Sequence, residues 1–434
     1  MPLSPRAITG EFSMQRITSC FASRRLARLA LAAILVGTTM LGRAQSHPYY
    51  LGIGQSLGHN SNVFRVDNRE VPDKFAVTSL NAGFDQPIGR QRVFANTSVH
   101  ATRYEDFRIL DNTGYGLSAG LDWSTIERLS GAFGVSSNRT LANYAASGNQ
   151  QTVPQTKKNI ETSSQANLRV QLGVVSLVSL YTTLAHSRIS YSAREYQFSE
   201  VRQNAAGAGI TIRPSGLLSF GGGLRLTRGE YPKVLQANGA AESFDRKDLD
   251  LTASWAATGL STLNARLSYG RSTYEALTRR NSKGATGSLA WAWQATGKLS
   301  FNTSFNRDSG TETSLAALAG NQGNAVGDNS VTTNALALSA GYEVTSKIRV
   351  NLGARYAKRD LVSERFLGSV PVSATEGSDS VSSVTLGASY APSRNWQMGC
   401  NAGQDSSKPS INAGGVSTRY TSTQASCNVQ FTIR

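Results

Sequence analysis

From Gln45 to the end of the chain, apolar and polar side chains alternate at a period of two, the spacing that sends successive residues to opposite faces of a β-strand. Tyr115, Leu117, Ala119, Leu121 and Trp123 share one parity, while Gly116, Ser118, Gly120, Asp122 and Ser124 share the other. Leu168, Val170, Leu172 and Val174 alternate in the same way with Asn167, Arg169, Gln171 and Gly173, and Ile348, Val350, Leu352, Ala354 and Tyr356 with Arg349, Asn351, Gly353 and Arg355. Strands with one apolar and one wet face, roughly eighteen of them, predict an all-β fold: a transmembrane up-and-down antiparallel barrel.

The connections carry a second rhythm. Short turns are expected at Gln86 to Gln91, Thr125 to Arg128, Arg213 to Leu217, Ala257 to Ser261, Gln294 to Lys298 and Ala391 to Asn395. Long polar segments are expected as loops at Asn138 to Asn159, Arg228 to Lys247, Arg307 to Ser330, Lys358 to Ser380 and Gln404 to Arg419. Short periplasmic turns alternating with long external loops fit such a barrel and put both termini on the periplasmic side. The five Trp residues, at 123, 255, 291, 293 and 396, all fall on the apolar parity beside a predicted short turn, where interfacial aromatics belong.

Composition closes off the alternatives. With 41 Gly, 17% charged residues and a mean hydropathy of -0.27, the chain is too polar for a bundle of membrane helices. A soluble propeller or sandwich stack would need a buried core where this chain puts Gly, Ser and Asn on the second face of each strand.

Residues 1–44 read as a signal peptide, with Arg16, Arg24, Arg25 and Arg28 ahead of the apolar stretch Leu29 to Leu41 and small residues around Gly42-Arg43-Ala44. The barrel is then expected over 45–434. The first 44 residues hold six Arg and one Glu, so a good part of the formal +16 leaves with them. The remaining basic excess suits outer-membrane lipid phosphates or an anionic polysaccharide, and an exported chain gives no reason to expect nucleic acid.

Catalytic chemistry finds little support. Of the four His, His47 lies just past the expected cleavage point, His59 and His186 are expected at strand ends, and His100 shares the polar face of its strand with Ser98. That pair is unspecific for a Ser-His-acid triad, and a wet lumen explains it equally well. No spacing suggests a metal site or a cofactor, so the protein is expected not to be an enzyme. One inward trend stands out: Arg169, Arg225, Arg266, Arg349 and Arg355 take the wet parity against fewer acids, such as Asp122, Asp248, Asp250 and Glu343. Such cations either attract anions or polysaccharide into the lumen or pair with the inward acids.

Cys400 and Cys427 remain after cleavage, an even number in an oxidising compartment. Pairing them across a final hairpin also sets Met398 opposite Val429, Ala402 opposite Ala425 and Trp396 opposite Phe431, all on the apolar face, so a disulfide is expected. The alternative is two free thiols facing lipid.

Two stretches resemble a specific family. Gly58-His-Asn-Ser-Asn62-Val-Phe64-Arg65 and Cys427-Asn-Val-Gln-Phe431-Thr-Ile-Arg434, with Trp396-Gln-Met-Gly-Cys400, are similar to the ends of EpsL-like outer-membrane barrels associated with exosortase-type exopolysaccharide clusters. The resemblance implies a conduit in exopolysaccharide biosynthesis or export, working with other polysaccharide-export proteins. It assigns no binding residue. The other reading of the same barrel is a general or anion-preferring diffusion porin, with an outer-membrane enzyme a more distant one.

Overall fold

A computed structural model describes residues 48–434 apart from 68–69, 126–127, 143–156, 174–176, 237, 318–323, 368–369 and 411–418. The expected signal segment lies outside these residues, as does His47. The alternating stretches form one sheet of eighteen antiparallel strands: β1 (Tyr49–Asn60), β2 (Asp73–Ile88), β3 (Gln91–Tyr104), β4 (Asn112–Ser124), β5 (Leu129–Leu141), β6 (Ile160–Leu172), β7 (Val178–Tyr191), β8 (Val201–Ser215), β9 (Leu218–Leu235), β10 (Ala241–Thr258), β11 (Ser261–Tyr274), β12 (Ser282–Gln294), β13 (Leu299–Ala317), β14 (Asn324–Glu343), β15 (Ile348–Leu367), β16 (Val370–Tyr390), β17 (Trp396–Pro409) and β18 (Tyr420–Ile433). Each strand pairs with its sequence neighbours, and β18 pairs back onto β1 from Leu51–Ile433 to Asn60–Gln424. Closure leaves neither terminal strand as a free edge, the condition for strands to cross lipid.

The apolar parity faces outward. Leu180, Leu224, Leu251, Leu267 and Tyr356 are each at least half exposed, and exposed large apolar side chains far outnumber buried ones. Burying a Leu in an apolar phase is favourable by about 1.5–3 kcal/mol, so a belt of this size has lipid as its natural solvent. At the rim carrying the short turns, the aromatics stack: Trp291 on Trp293 at 5.4 Å, Trp293 on Phe301 at 5.6 Å, and Trp396 against Phe431 at 5.0 Å. Trp123 lies flat over Gly131 of β5, directly opposite, where any Cβ would collide with its ring. The two-residue turn between Ile88 and Gln91 is made possible by Gly89 at φ 63°.

At the other rim, three connections are built alike. The turns at Arg108–Leu110, Arg194–Ser199 and Thr278–Arg280 are 3-10 helical. Each is held by a buried side chain at the head of the strand paired with the one it follows. Asp73 accepts the amides of Asp106 and Phe107 (3.2 and 3.0 Å), Asn159 that of Ala193 (3.1 Å), and Glu242 those of Ala276 and Leu277 (3.1 and 2.9 Å). A second acceptor closes each turn onto the strand before it: Tyr104 N–H donates to Asp111, Tyr191 N–H to Glu200, and Tyr274 N–H to Asn281. The Arg194–Ser199 turn folds inward and packs against β9 and β13. Small apolar clusters fill the wall beneath the loops, Phe64, Phe75, Tyr104, Leu110, Leu141 and Ile160 in one, Tyr231, Phe244 and Tyr274 in another.

Two sequence expectations need correction. The polar stretches Arg228 to Lys247, Arg307 to Ser330 and Lys358 to Ser380 are mostly paired strand: β9 and β10 are joined by residues 236–240, β13 and β14 by 318–323, and β15 and β16 by 368–369. Above the lipid both faces of a strand meet water, so the ladder continues while the alternation stops. His186 is not at a strand end. It sits inside β7 on the outward face, hydrogen-bonded to Asn204 of β8 at 2.8 Å.

Candidate functional site: the lumen wall

The polar parity lines the interior, and the five inward arginines divide into two kinds. Arg225 on β9 is fully engaged: its Nε and Nη2 donate to Asp250 at 2.9 and 3.2 Å, and Nη2 lies 3.3 Å from Asp248. Arg246 grips the other side of Asp248 at 2.9 and 3.0 Å, and Ser268 donates to Asp250. The Asp248 side chain is 0% exposed, so this cluster is a sealed strut between β9, β10 and β11. Its two guanidinium groups and two carboxylates cancel. Arg349 is paired with Glu343 on the neighbouring strand.

Arg169, Arg266 and Arg355 are different. All three are exposed to the lumen and, among the described residues, none makes an ion pair. Their directly opposed neighbours are Ala132 and Thr183, Thr252 and Ser288, and Ala337 and Ser383. Arg169 sits over the ring of Tyr181, 4.3 Å from its centre, which holds the guanidinium plane without consuming its donors. These arginines lie on β6, β11 and β15, so they face the lumen from separate sectors rather than forming one tight site.

Other inward cations escaped the sequence reading although the same parity rule reaches them. Arg92 forks onto Asp85 (2.8 and 2.6 Å), Arg359 onto the buried Asp379, and Arg213 donates to Ser179 at 3.0 Å. Ser98 and His100 do share the inward face of β3, but the residues directly opposite them are Asn81 and Gly116, and Ser79 and Gly114, none of them a carboxylate. Among the described residues no group of three or more His, Cys, Asp or Glu is placed to hold a metal ion.

Cys400 of β17 stands directly opposite Cys427 of β18 with Cα atoms 4.0 Å apart and the sulfurs bonded. The strand next in the wall is β1, so the disulfide lies beside the closing seam. There Asn62, 0% exposed, donates to the carbonyls of Val66 (2.7 Å) and Thr421 (3.0 Å), and Arg65 reaches Asp405 at 3.0 Å.

A closed wall with an apolar outer belt, a stacked aromatic rim and a polar, charged interior defines a transmembrane β-barrel of the outer membrane. No family model and no curated protein matches the chain. Among solved structures, OpdK of Pseudomonas aeruginosa, determined with vanillate, aligns at 12% identity over 89% of this chain and 98% of its own, with a TM-score of 0.43. The ferric enterobactin receptor PfeA of the same organism aligns at 7% identity over 90% of this chain and 81% of its own, with a TM-score of 0.45. The FrpB iron transporter of Neisseria meningitidis aligns at 10% identity over 90% and 83%, with a TM-score of 0.43. The barrel assignment stands on the chain's own ladders, and no ligand is carried over from these proteins.

Proposed function

We propose that the barrel is a diffusion channel of the outer membrane with a modest preference for anions. The observation that carries this reading is the set of three lumen arginines, Arg169, Arg266 and Arg355, exposed and free of ion pairs among the described residues. A guanidinium on the wall of a wet channel lowers the entry cost of a carboxylate or sulfate and raises that of a cation. The inward fold of Arg194–Ser199 against β13 narrows the route past them. The test is a planar-bilayer recording under a salt gradient. The wild type is expected to show an anion-selective reversal potential, and R169Q/R266Q/R355Q one shifted toward cations. An unchanged potential removes the reading.

A second reading, a conduit for exopolysaccharide, draws on the family resemblance of the two chain ends. Those stretches meet corner to corner at the seam, Gly58 opposite Ser426 and Leu57 opposite Cys427. A deletion strain separates the readings: lost surface polysaccharide with intact solute uptake favours the conduit, and the reverse favours the channel.

A further inference from the structure

The outward face carries its own pattern of charge. On three successive strands, Lys247 of β10, Arg271 of β11 and Lys283 of β12 are directly opposed, all exposed and, among the described residues, all without an ion pair. Adjacent strands lie about 4.8 Å apart, so three positive charges sit within about 10 Å of one another. Like charges opposed across a ladder destabilise it, so an anion seated among the three would stabilise the row. The outward carboxylates close by, Asp245 and Glu275, stand higher on the wall. Asp245 is opposed to Thr273, and Glu275 takes a hydrogen bond from Ser243 at 2.6 Å.

The height of the row identifies its surroundings. Lys283 lies ten positions along β12 from Trp293 of the aromatic rim, and about 9–11 residues of tilted strand cross the hydrocarbon core. The cations therefore sit where acyl chains give way to headgroups on the side of the longer connections. Below them the same face is apolar, with Leu249 opposite Tyr269 and Leu251 opposite Leu267, the four each at least half exposed.

The wall is also notched here. Among the described residues the ladder between β12 and β13 ends at Gly287–Arg307, although β12 continues up to Ser282 and β13 up to Ala317. One exposed carbonyl of that edge, Ala285, is reached by Arg307 at 3.3 Å. Backbone groups left without partners are costly in hydrocarbon, so a polar group belongs beside this edge.

We propose that the upper outward face of β10–β12 is a binding site for a phosphorylated glycolipid of the outer leaflet, its phosphates on Lys247, Arg271 and Lys283, its sugar at the β12–β13 notch and its acyl chains over Leu249, Tyr269 and Leu267. The site rests on the outer wall and is independent of the channel reading. Folded protein in detergent is titrated with diphosphoryl lipid A, with the same lipid stripped of its phosphates, and with inorganic phosphate, for the wild type, K247Q/R271Q/K283Q and the distant outward variant R139Q. Wild type and R139Q should bind the diphosphorylated lipid alike, with the triple variant about tenfold weaker or more. Dephosphorylated lipid should bind weakly, and inorganic phosphate should not displace the lipid. Equal binding by the triple variant and the wild type overturns the proposal, as does equal binding of the dephosphorylated lipid or displacement by inorganic phosphate. Should the triple variant fail to close its barrel, R271Q alone carries the comparison, because Arg271 holds the middle position.

Discussion

Asp248 is a carboxylate with no exposed surface, clamped between Arg225 and Arg246. Such a group contributes to holding strands together, not to attracting solutes, because its charge is already answered. Asp248→Asn removes one of the two carboxylates, leaving Arg246 without its charged partner and Arg225 with Asp250 alone. Since Arg225 is about a quarter exposed (27%), water screens part of the loss, and we expect a cost near the low end for a broken buried pair, about 2–3 kcal/mol. It would read as a lower temperature for the heat-induced gel shift. The charge-neutral double variant R225Q/D250N should leave the reversal potential where the wild type has it, in contrast to R169Q/R266Q/R355Q. Parity in the sequence put Arg169, Arg225, Arg266, Arg349 and Arg355 on one face, since that depends only on strand direction and period, and passed over Arg92, Arg213 and Arg359. It did not reveal which were already paired, because Arg225 and Asp250 belong to different strands and meet only through register.

At the scale of elements, the sequence was clearest where lipid lies on one face and water on the other. Alternation locates β4, β6 and β15, and the register drawn from the Cys400 and Cys427 positions is that of the β17–β18 ladder, with Trp396 opposite Phe431 and Ala402 opposite Ala425. It was least clear above the lipid, where β9, β10 and β13–β16 run on as polar strands. The three capped turns were also missed. A Tyr followed seven to nine residues later by an acid or amide, as in Tyr104 and Asp111, Tyr191 and Glu200, and Tyr274 and Asn281, was the signal available. The buried partner of each turn lies about thirty residues earlier and has no local pattern. Asp73→Ala would leave the Asp106 and Phe107 amides without their acceptor. Hydrogen bonds to a charged group contribute about 1.5–3 kcal/mol each, so the turn at Arg108–Leu110 should open and be nicked readily in limited proteolysis, with the barrel itself intact.

For the whole molecule, closure is carried by the β1–β18 ladder, which runs from Leu51–Ile433 to Asn60–Gln424. The unboiled protein should therefore migrate faster than the boiled one on a denaturing gel, and should still do so after reduction, because the Cys400–Cys427 link staples a hairpin that is already paired on both sides. A reduced sample that migrated as fully unfolded without heating would show that the disulfide, not the ladder, holds the barrel shut.

The wall is not equally tall all round. β4, β5 and β6 have 13 residues each, whereas β14 and β15 have 20 and β16 has 21. At about 3.3 Å per residue along the strand, the longer side rises some 20 Å or more farther along its strand axes. Among the described residues the paired wall thus stands higher on the β14–β16 flank than on the β4–β6 flank. The rim of the sheet is therefore oblique rather than level, and the ladders of the taller flank carry paired polar backbone well beyond the apolar belt.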